Sequence, residues 1–328
     1  LYLDKGARYQ NAGVDFRKGD RHGCAAADVD GSGLPDLYCS FGAARGTAVK
    51  SNQLWLDPGG PKPKLERNAG GAHEPLGRGR QVAFLDVNDD GRRDLFLGQE
   101  PGRMDGVPSP NRVYLRTGPA TFKPLRESGI EVDLGAHQLD TGDVDRDGRQ
   151  DLLLVYHDPR AASPRAGTKL YRNTGAGFKD VTARYGIRKM GERDAELVRL
   201  DGDKHLDLVQ LSNGRVRVSL RREGKFVKVF ERKISGAVAL AAGDVDADGD
   251  KDLYVLRQKD TTATKDLLLV NDGSGRSFKG VKMPSRKGGQ ADDVYALDHD
   301  QNGRVDFLVL NGRGTSRGPL QLIAFYKP

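Results

Sequence analysis

Short apolar runs alternate with glycine-rich and acidic turns along the whole chain, and helical periodicity appears nowhere at length. Most repeats open with an apolar run ("GCAAA", "QVAFL", "VALAA"), pass through an acidic loop, and continue into a second apolar run. A third run such as "KLYRN" or "LLLVND" follows, then a Gly-rich turn and a fourth such as "GFKDV" or "SFKGV". Short apolar runs bounded by turn residues predict strands. Four strands per repeat is the pattern of a β-propeller blade.

Six segments set the repeat: "DVDGSGLPDLYCS" from Asp28, "DVNDDGRRDLFLG" from Asp86, "DVDRDGRQDLLLV" from Asp143, "RLDGDKHLDLVQL" from Arg199, "DVDADGDKDLYVL" from Asp244 and "DHDQNGRVDFLVL" from Asp298. Successive starts lie 58, 57, 56, 45 and 54 residues apart, so no interval hides another unit. The chain is therefore expected to be all-β: one propeller domain over residues 1–328, built from six four-stranded blades. The last unit supplies three strands ending in "LQLIAFY", and the N-terminal "LYLDKGARYQNAG" reads as a third-and-fourth-strand hairpin. Residues 1–13 are expected to close the last blade and leave no open sheet edge. "LYLD" is one third strand too many for six blades, and a seventh blade trimmed at its start is the rival count. The chain opens on Leu1 rather than Met, as a processed or trimmed product would. No apolar run approaches the roughly 18 residues of a membrane span, and no charged-then-apolar leader opens the chain.

Each loop follows D-x-D-x-D-G-x-x-D. Side chains at positions one, three, five and nine and the carbonyl at seven converge on one point, and Gly at six permits the sharp turn. This is the ligand logic of an EF-hand loop, shortened and set between two strands. Two carboxylates ~4 Å apart repel by up to about 4 kcal/mol at an effective dielectric of 20, so several together require a cation. Hard oxygen ligands select Ca²⁺ over a transition metal. Five loops are complete: Asp28, Asp30, Ser32, Asp36; Asp86, Asn88, Asp90, Asp94; Asp143, Asp145, Asp147, Asp151; Asp244, Asp246, Asp248, Asp252; and Asp298, Asp300, Asn302, Asp306. The fourth has Arg199 at position one and Lys204 in place of the glycine, leaving Asp201, Asp203 and Asp207. A guanidinium or ammonium is expected to supply the missing charge there, with no metal bound. Polar β-turns are the competing account, and recurrence at blade spacing argues against them.

These loops and their trailing "DLYV"-type strands resemble the FG-GAP/VCBS repeat propellers, which include the integrin α-subunit heads and many secreted bacterial proteins. The resemblance covers nearly the whole chain, and it is closer to the VCBS style because the Phe-Gly and Gly-Ala-Pro elements are poorly kept. It implies bound calcium, an extracellular setting and a ligand-binding or adhesive role, with carbohydrate-active enzymes among the family's members.

Metal loading changes the charge. The formal net charge is +7, from 53 Lys+Arg and 46 Asp+Glu. Loops one, two and six use three aspartates each and loops three and five use four, so 29 acids remain once those 17 are bound. Five Ca²⁺ ions then raise +7 to +17. Such an excess attracts polyanions, whether anionic polysaccharide, a teichoic-acid-like polymer, nucleic acid or an acidic extracellular protein, unless it serves solubility alone. No interleaved basic–aromatic motif points to nucleic acid.

The acidic loops join strands one and two at one end of each blade. The opposite end carries long second-to-third connections: "FGAARGTAVKSN", "GQEPGRMDGVPSPN", "HDPRAASPRAG", "RQKDTTATKD" and "NGRGTSRG". Six residues before each loop stand His22, Arg80, His137, Arg193, Val238 and Asp292, expected to ring that end of a central channel. All but Val238 are polar. Such a ring could bind a carboxylate, a phosphate or a metal, or serve acid–base chemistry of the polysaccharide-lyase kind; polar lining of a wet channel is the plainer account. Cys24 and Cys39 face each other across neighbouring strands, either as a disulfide or as buried thiols. The lone Trp55 reads as packing. No Ser–His–Asp order, phosphate loop or zinc spacing stands out.

Overall fold

The computed structural model describes residues 2–4, 9–11, 20–42, 51–102, 108–132, 134–157, 167–188, 192–258, 265–283, 291–311 and 321–323. Every extended element is antiparallel. Blade one pairs Arg21–Ala27, Asp36–Phe41, Gln53–Leu56 and Lys64–Glu66 in chain order. Blade two pairs Gly79–Leu85, Asp94–Gln99, Arg112–Gly118 and Thr121–Leu125, and blade three pairs Gly135–Gly142, Asp151–His157, Gly167–Asn173 and Phe178–Asp180. Blade four pairs Glu192–Val198, Asp207–Ser212, Arg215–Arg222 and Lys225–Lys233, and blade five pairs Ala237–Gly243, Asp252–Arg257, Leu267–Asn271 and Phe278–Lys282. Blade six contributes Ala291–Leu297, Asp306–Asn311 and Gln321–Ile323, and a separate hairpin pairs Tyr2–Asp4 with Tyr9–Asn11. The architecture is a six-bladed, all-β propeller, as the repeat predicts. One 3₁₀ turn, Arg67–Gly71, is the only helical element among the described residues.

By contacts the chain divides into two compact units, one holding the first three blades to Thr182, the other the last three from Ala183. In the first unit, Val29, Tyr38, Leu54, Leu95 and Phe122 form one core between blades one and two. Ala83, Phe96, Val113, Leu152 and Leu154 form a second core between blades two and three. In the second unit, Val216, Val218 and Leu220 of blade four pack on Leu253, Val255 and Leu269 of blade five. Tyr254 and Leu268 of blade five in turn meet Phe307 and Val309 of blade six. Second strands are covered on both faces, which is why they read as unbroken apolar runs instead of alternating ones. Each fully buried Leu, Val or Phe contributes roughly 1.5–3 kcal/mol.

Cys24 and Cys39 stand directly opposite one another on strands one and two of blade one and form a disulfide. Trp55 is half-buried on the third strand, between Leu37 and Leu65 in register, as a packing residue would be. No described helix is long and apolar enough to cross a membrane.

Candidate functional site

The acidic loops are built by hydrogen bonds to their own backbone. In all five complete loops the position-one aspartate accepts the N–H of the position-six glycine: Gly33 to Asp28 at 2.9 Å, Gly91 to Asp86 at 2.8 Å, Gly148 to Asp143 at 2.9 Å, Gly249 to Asp244 at 3.1 Å and Gly303 to Asp298 at 2.9 Å. Those glycines are left-handed, with φ between 76° and 97°, where a Cβ is strained. Position four is left-handed as well, including Asp89, Arg146, Ala247 and Gln301, a demand the consensus does not reveal.

Position nine does more than the sequence predicts. Asp36, Asp94, Asp151, Asp207 and Asp252 are fully or almost fully buried, and each accepts at least two backbone N–H groups, Asp36 a third from Asp30. One oxygen takes the N–H of loop position two (Val29, Val87, Val144, Leu200, Val245), the other an N–H at the end of strand three (Asp57, Arg116, Asn173, Arg221, Asn271). The carboxylate thus ties loop, second strand and third strand together. Burial pushes Asp151, Asp207 and Asp252 up to about 6, against the pull of these N–H donors.

Four loops gather carboxylate oxygens within 4.8 Å of one another: Asp28, Asp30 and Asp36; Asp143, Asp145 and Asp147; Asp244, Asp246 and Asp248; Asp298, Asp300 and Asp306. Each set could hold a metal ion. Donors are also left over in loops two, three and five, where Asn88 Oδ1, Asp145 Oδ1 and Asp244 Oδ1 are buried without a hydrogen-bond partner. A buried acceptor without a partner costs about 1–3 kcal/mol, which a cation would remove. In loop five, burial and the repulsion of neighbouring aspartates raise Asp246 and Asp250, again the signature of a site that wants positive charge. Loop two is looser: Asp90 turns to Arg92 at 2.6 Å, and Asn88 donates to Asp90 at 3.0 Å. In loop three Arg172 approaches Asp145 at 2.5 Å and Asp147 at 3.1 Å. In loop one Ser32 donates to Asp57 at 2.7 Å, which places at this loop a carboxylate that the consensus misses because it comes from strand three.

Loop four gathers no three-carboxylate set among the described residues and, like loop three, receives a guanidinium from strand three. Its cation is Arg222, at the end of strand three, which ion-pairs with Asp201 and with Asp203 at 3.2 Å. Arg199 and Lys204, the basic residues inside the loop, are exposed. The compensating charge is therefore a guanidinium, but one brought from another strand by the fold. Asp207 still ties Leu200 and Arg221, so the backbone role of position nine survives without the metal-type set.

At the opposite sheet ends, all six first strands change register at the predicted ring positions. The shifts fall between Arg21 and Cys24, Gly79 and Val82, Ala136 and Gln138, Glu192 and Asp194, Ala237 and Ala239, and Ala291 and Asp293. His22, Arg80, His137, Arg193, Val238 and Asp292 thus sit in β-bulges, which re-aim a side chain out of the strand's alternation. In the first unit the fold brings three of them together around Glu100, which no sequence motif marks. Glu100 accepts from Arg80 Nε at 2.9 Å and pairs with His137 Nε2 at 3.0 Å. Burial raises its carboxyl, but the His137 hydrogen bond and Arg80 charge outweigh it, leaving about 2. His22 adjoins Arg80 at Gly42 and pairs with Asp20 at 3.1 Å. Burial, then the Arg80 charge, lowers its pKa, favouring neutral imidazole. In the second unit Arg193 and Val238 line one cavity of about 570 Å³. The side chain of Asp292, and the long connections at 43–50, 103–107, 158–166, 259–264 and 312–320, lie outside the described residues.

Four-stranded blades with acidic first-to-second loops define a β-propeller whose acidic loops could hold metal ions. A family model described as an FG-GAP-like repeat matches residues 86–154 and 199–255. Together with the six blades, this match supports an FG-GAP-repeat β-propeller. No curated protein matches the sequence. Among solved structures, an Agrocybe aegerita lectin described as recognising non-reducing terminal N-acetylglucosamine is 17% identical, with a TM-score of 0.52 over 93% of this chain and 81% of the lectin. A glucose dehydrogenase is 13% identical, with a TM-score of 0.51 over 94% of this chain and 97% of its own. At these identities the likeness is one of fold.

Proposed function

We propose that the protein is a secreted, calcium-stabilised binding module that recognises an anionic glycan or an acidic extracellular protein through the sheet ends opposite its acidic loops. One observation carries the proposal: the aspartate clusters lie at one end of the blades, and basic or imidazole side chains occupy the bulged positions of blades one to four at the other. The loop aspartates are consumed at one end by backbone N–H groups and mutual clustering. The bulged positions at the other end hold His22, Arg80, His137 and Arg193. Calcium would be held by the five complete loops, neutralising their charge and fixing strand one to strand two. The disulfide accords with an oxidising compartment.

Lyase chemistry is disfavoured, since the cation and the base it would use, Arg80 and His137, are both bonded to Glu100. A substrate carboxylate would have to displace that residue. The test is a glycan array probed with calcium-loaded protein and repeated in chelator, beside a turnover assay on polyuronates. Retention of acidic glycans without their degradation supports the proposal; degradation, or indifference to every acidic glycan and protein offered, refutes it.

A further inference from the structure

We infer that the cavity between blades four and five is a subsite for a saccharide bearing a carboxylate or sulfate group. The inference rests on the binding function proposed above and assigns it a place and a ligand chemistry. The cavity lies at the sheet ends away from the acidic loops. Its charged lining is Arg193 and Lys233, its neutral polar lining Asn213, Ser235 and Gln258. No acidic and no aromatic side chain lines it among the described residues. Two cations with amide and hydroxyl groups suit an oxyanion flanked by hydroxyls. The lack of an aromatic platform disfavours nucleobases, which bind by stacking. The scarcity of apolar lining disfavours hydrophobic peptide side chains. About 570 Å³ falls inside the ~300–1,000 Å³ typical of small-molecule sites.

The site is built, not incidental. Blade four joins strands two and three through Asn213 and Gly214 alone, whereas the other blades use nine to twelve residues there. Both residues have positive φ, 46° and 68°, as a tight hairpin turn requires. This short turn leaves open the space that the cavity occupies. Two backbone hydrogen bonds fix the floor: Ile234 N–H to the Gly214 carbonyl at 2.6 Å and Gln258 N–H to the Gly236 carbonyl at 2.5 Å. A Cβ on Gly236 would lie 2.3 Å from the Gln258 backbone oxygen, so the approach of the connection entering blade five to the end of that blade's second strand depends on glycine. Arg193 is anchored through its neighbour Asp194, buried and accepting the Leu240 N–H at 2.9 Å, which ties blade four to blade five beneath the cavity.

The experiment is a calorimetric titration of the full, calcium-loaded chain with trigalacturonate, a sulfated disaccharide, neutral maltotriose and a hexaglutamate peptide. Wild type should bind one of the two acidic sugars at least 10-fold tighter than maltotriose, and which one it prefers separates carboxylate from sulfate recognition. The double variant Arg193→Ala/Lys233→Ala should lose 10-fold or more, and Ser235→Trp, which fills the cavity and keeps both cations, should lose as much. Unchanged melting temperatures would show that both variants fold. Wild-type binding that neither variant weakens overturns this site while leaving the binding function standing. Failure of wild type on these probes and on the glycan array removes both. Hexaglutamate binding as tight as the sugars, and lost in the same variants, overturns the saccharide assignment.

Discussion

Arg222 holds Asp201 in the fourth loop, where blades one, three, five and six present a cluster of carboxylate oxygens. The guanidinium comes from strand three and reaches the loop only because the sheet folds that strand beside it. Arg222→Gln should therefore leave Asp201 and Asp203 mutually repelling and cost about 1–3 kcal/mol. Denaturant unfolding in calcium and in chelator should give the same loss, since the pair substitutes for no ion elsewhere. A loss confined to chelator would contradict this account of loop four.

The two duties of position nine separate by comparing Asp36→Asn with Asp207→Asn. Each places an amide NH₂ against a backbone N–H in a buried site and should cost roughly 2–4 kcal/mol. Only Asp36→Asn should also lower the calcium stoichiometry by one, because Asp36 belongs to a three-carboxylate set whereas Asp207 faces Arg222's loop.

Chelation should destabilise the chain markedly. An ion at 100 times its dissociation constant adds about 2.7 kcal/mol for each site absent in the unfolded chain. Removing several should lower the melting temperature by tens of degrees. Calorimetric titration of calcium into chelated protein should return no more than five sites. An unchanged melting curve in EDTA would remove calcium from the account.

The Glu100 cluster sets an acid limit. Its carboxyl is held at about 2 against an ordinary 4.5. A depressed carboxyl contributes stability that is complete above the ordinary value and lost as pH falls toward the folded one, here from about 4.5 to about 2. The loss should be roughly 2–3 kcal/mol. Glu100→Gln should flatten the stability profile in that window, measured as the denaturant midpoint against pH.

Reduction of Cys24–Cys39 opens a loop with a sequence separation of 15. Loop-closure entropy for such a ring is about 3 kcal/mol. Cys24→Ala/Cys39→Ala should lose about that much, and wild type in reductant should match it. Mass spectrometry should find no free thiol in the untreated protein.

The repeat spacing, the strand pattern and the crowding of aspartates into the loops were readable from the residues alone, because each depends on neighbours within one loop or one strand. Asp28, Asp30 and Asp36 meet through a turn that their own glycine dictates, and Cys24 meets Cys39 through the register of adjacent strands. What only the tertiary structure decided involves residues from different strands or blades: Arg222 in place of Arg199 or Lys204, Asp57 beside Ser32, and Glu100 between Arg80 and His137. The bulges that re-aim the six first-strand residues, and the cavity opened by the shortest connection instead of the long ones, belong to the same group. Local loop chemistry is written in spacing. Pairings between strands are set by twist, bulge and packing, which no run of residues states by itself.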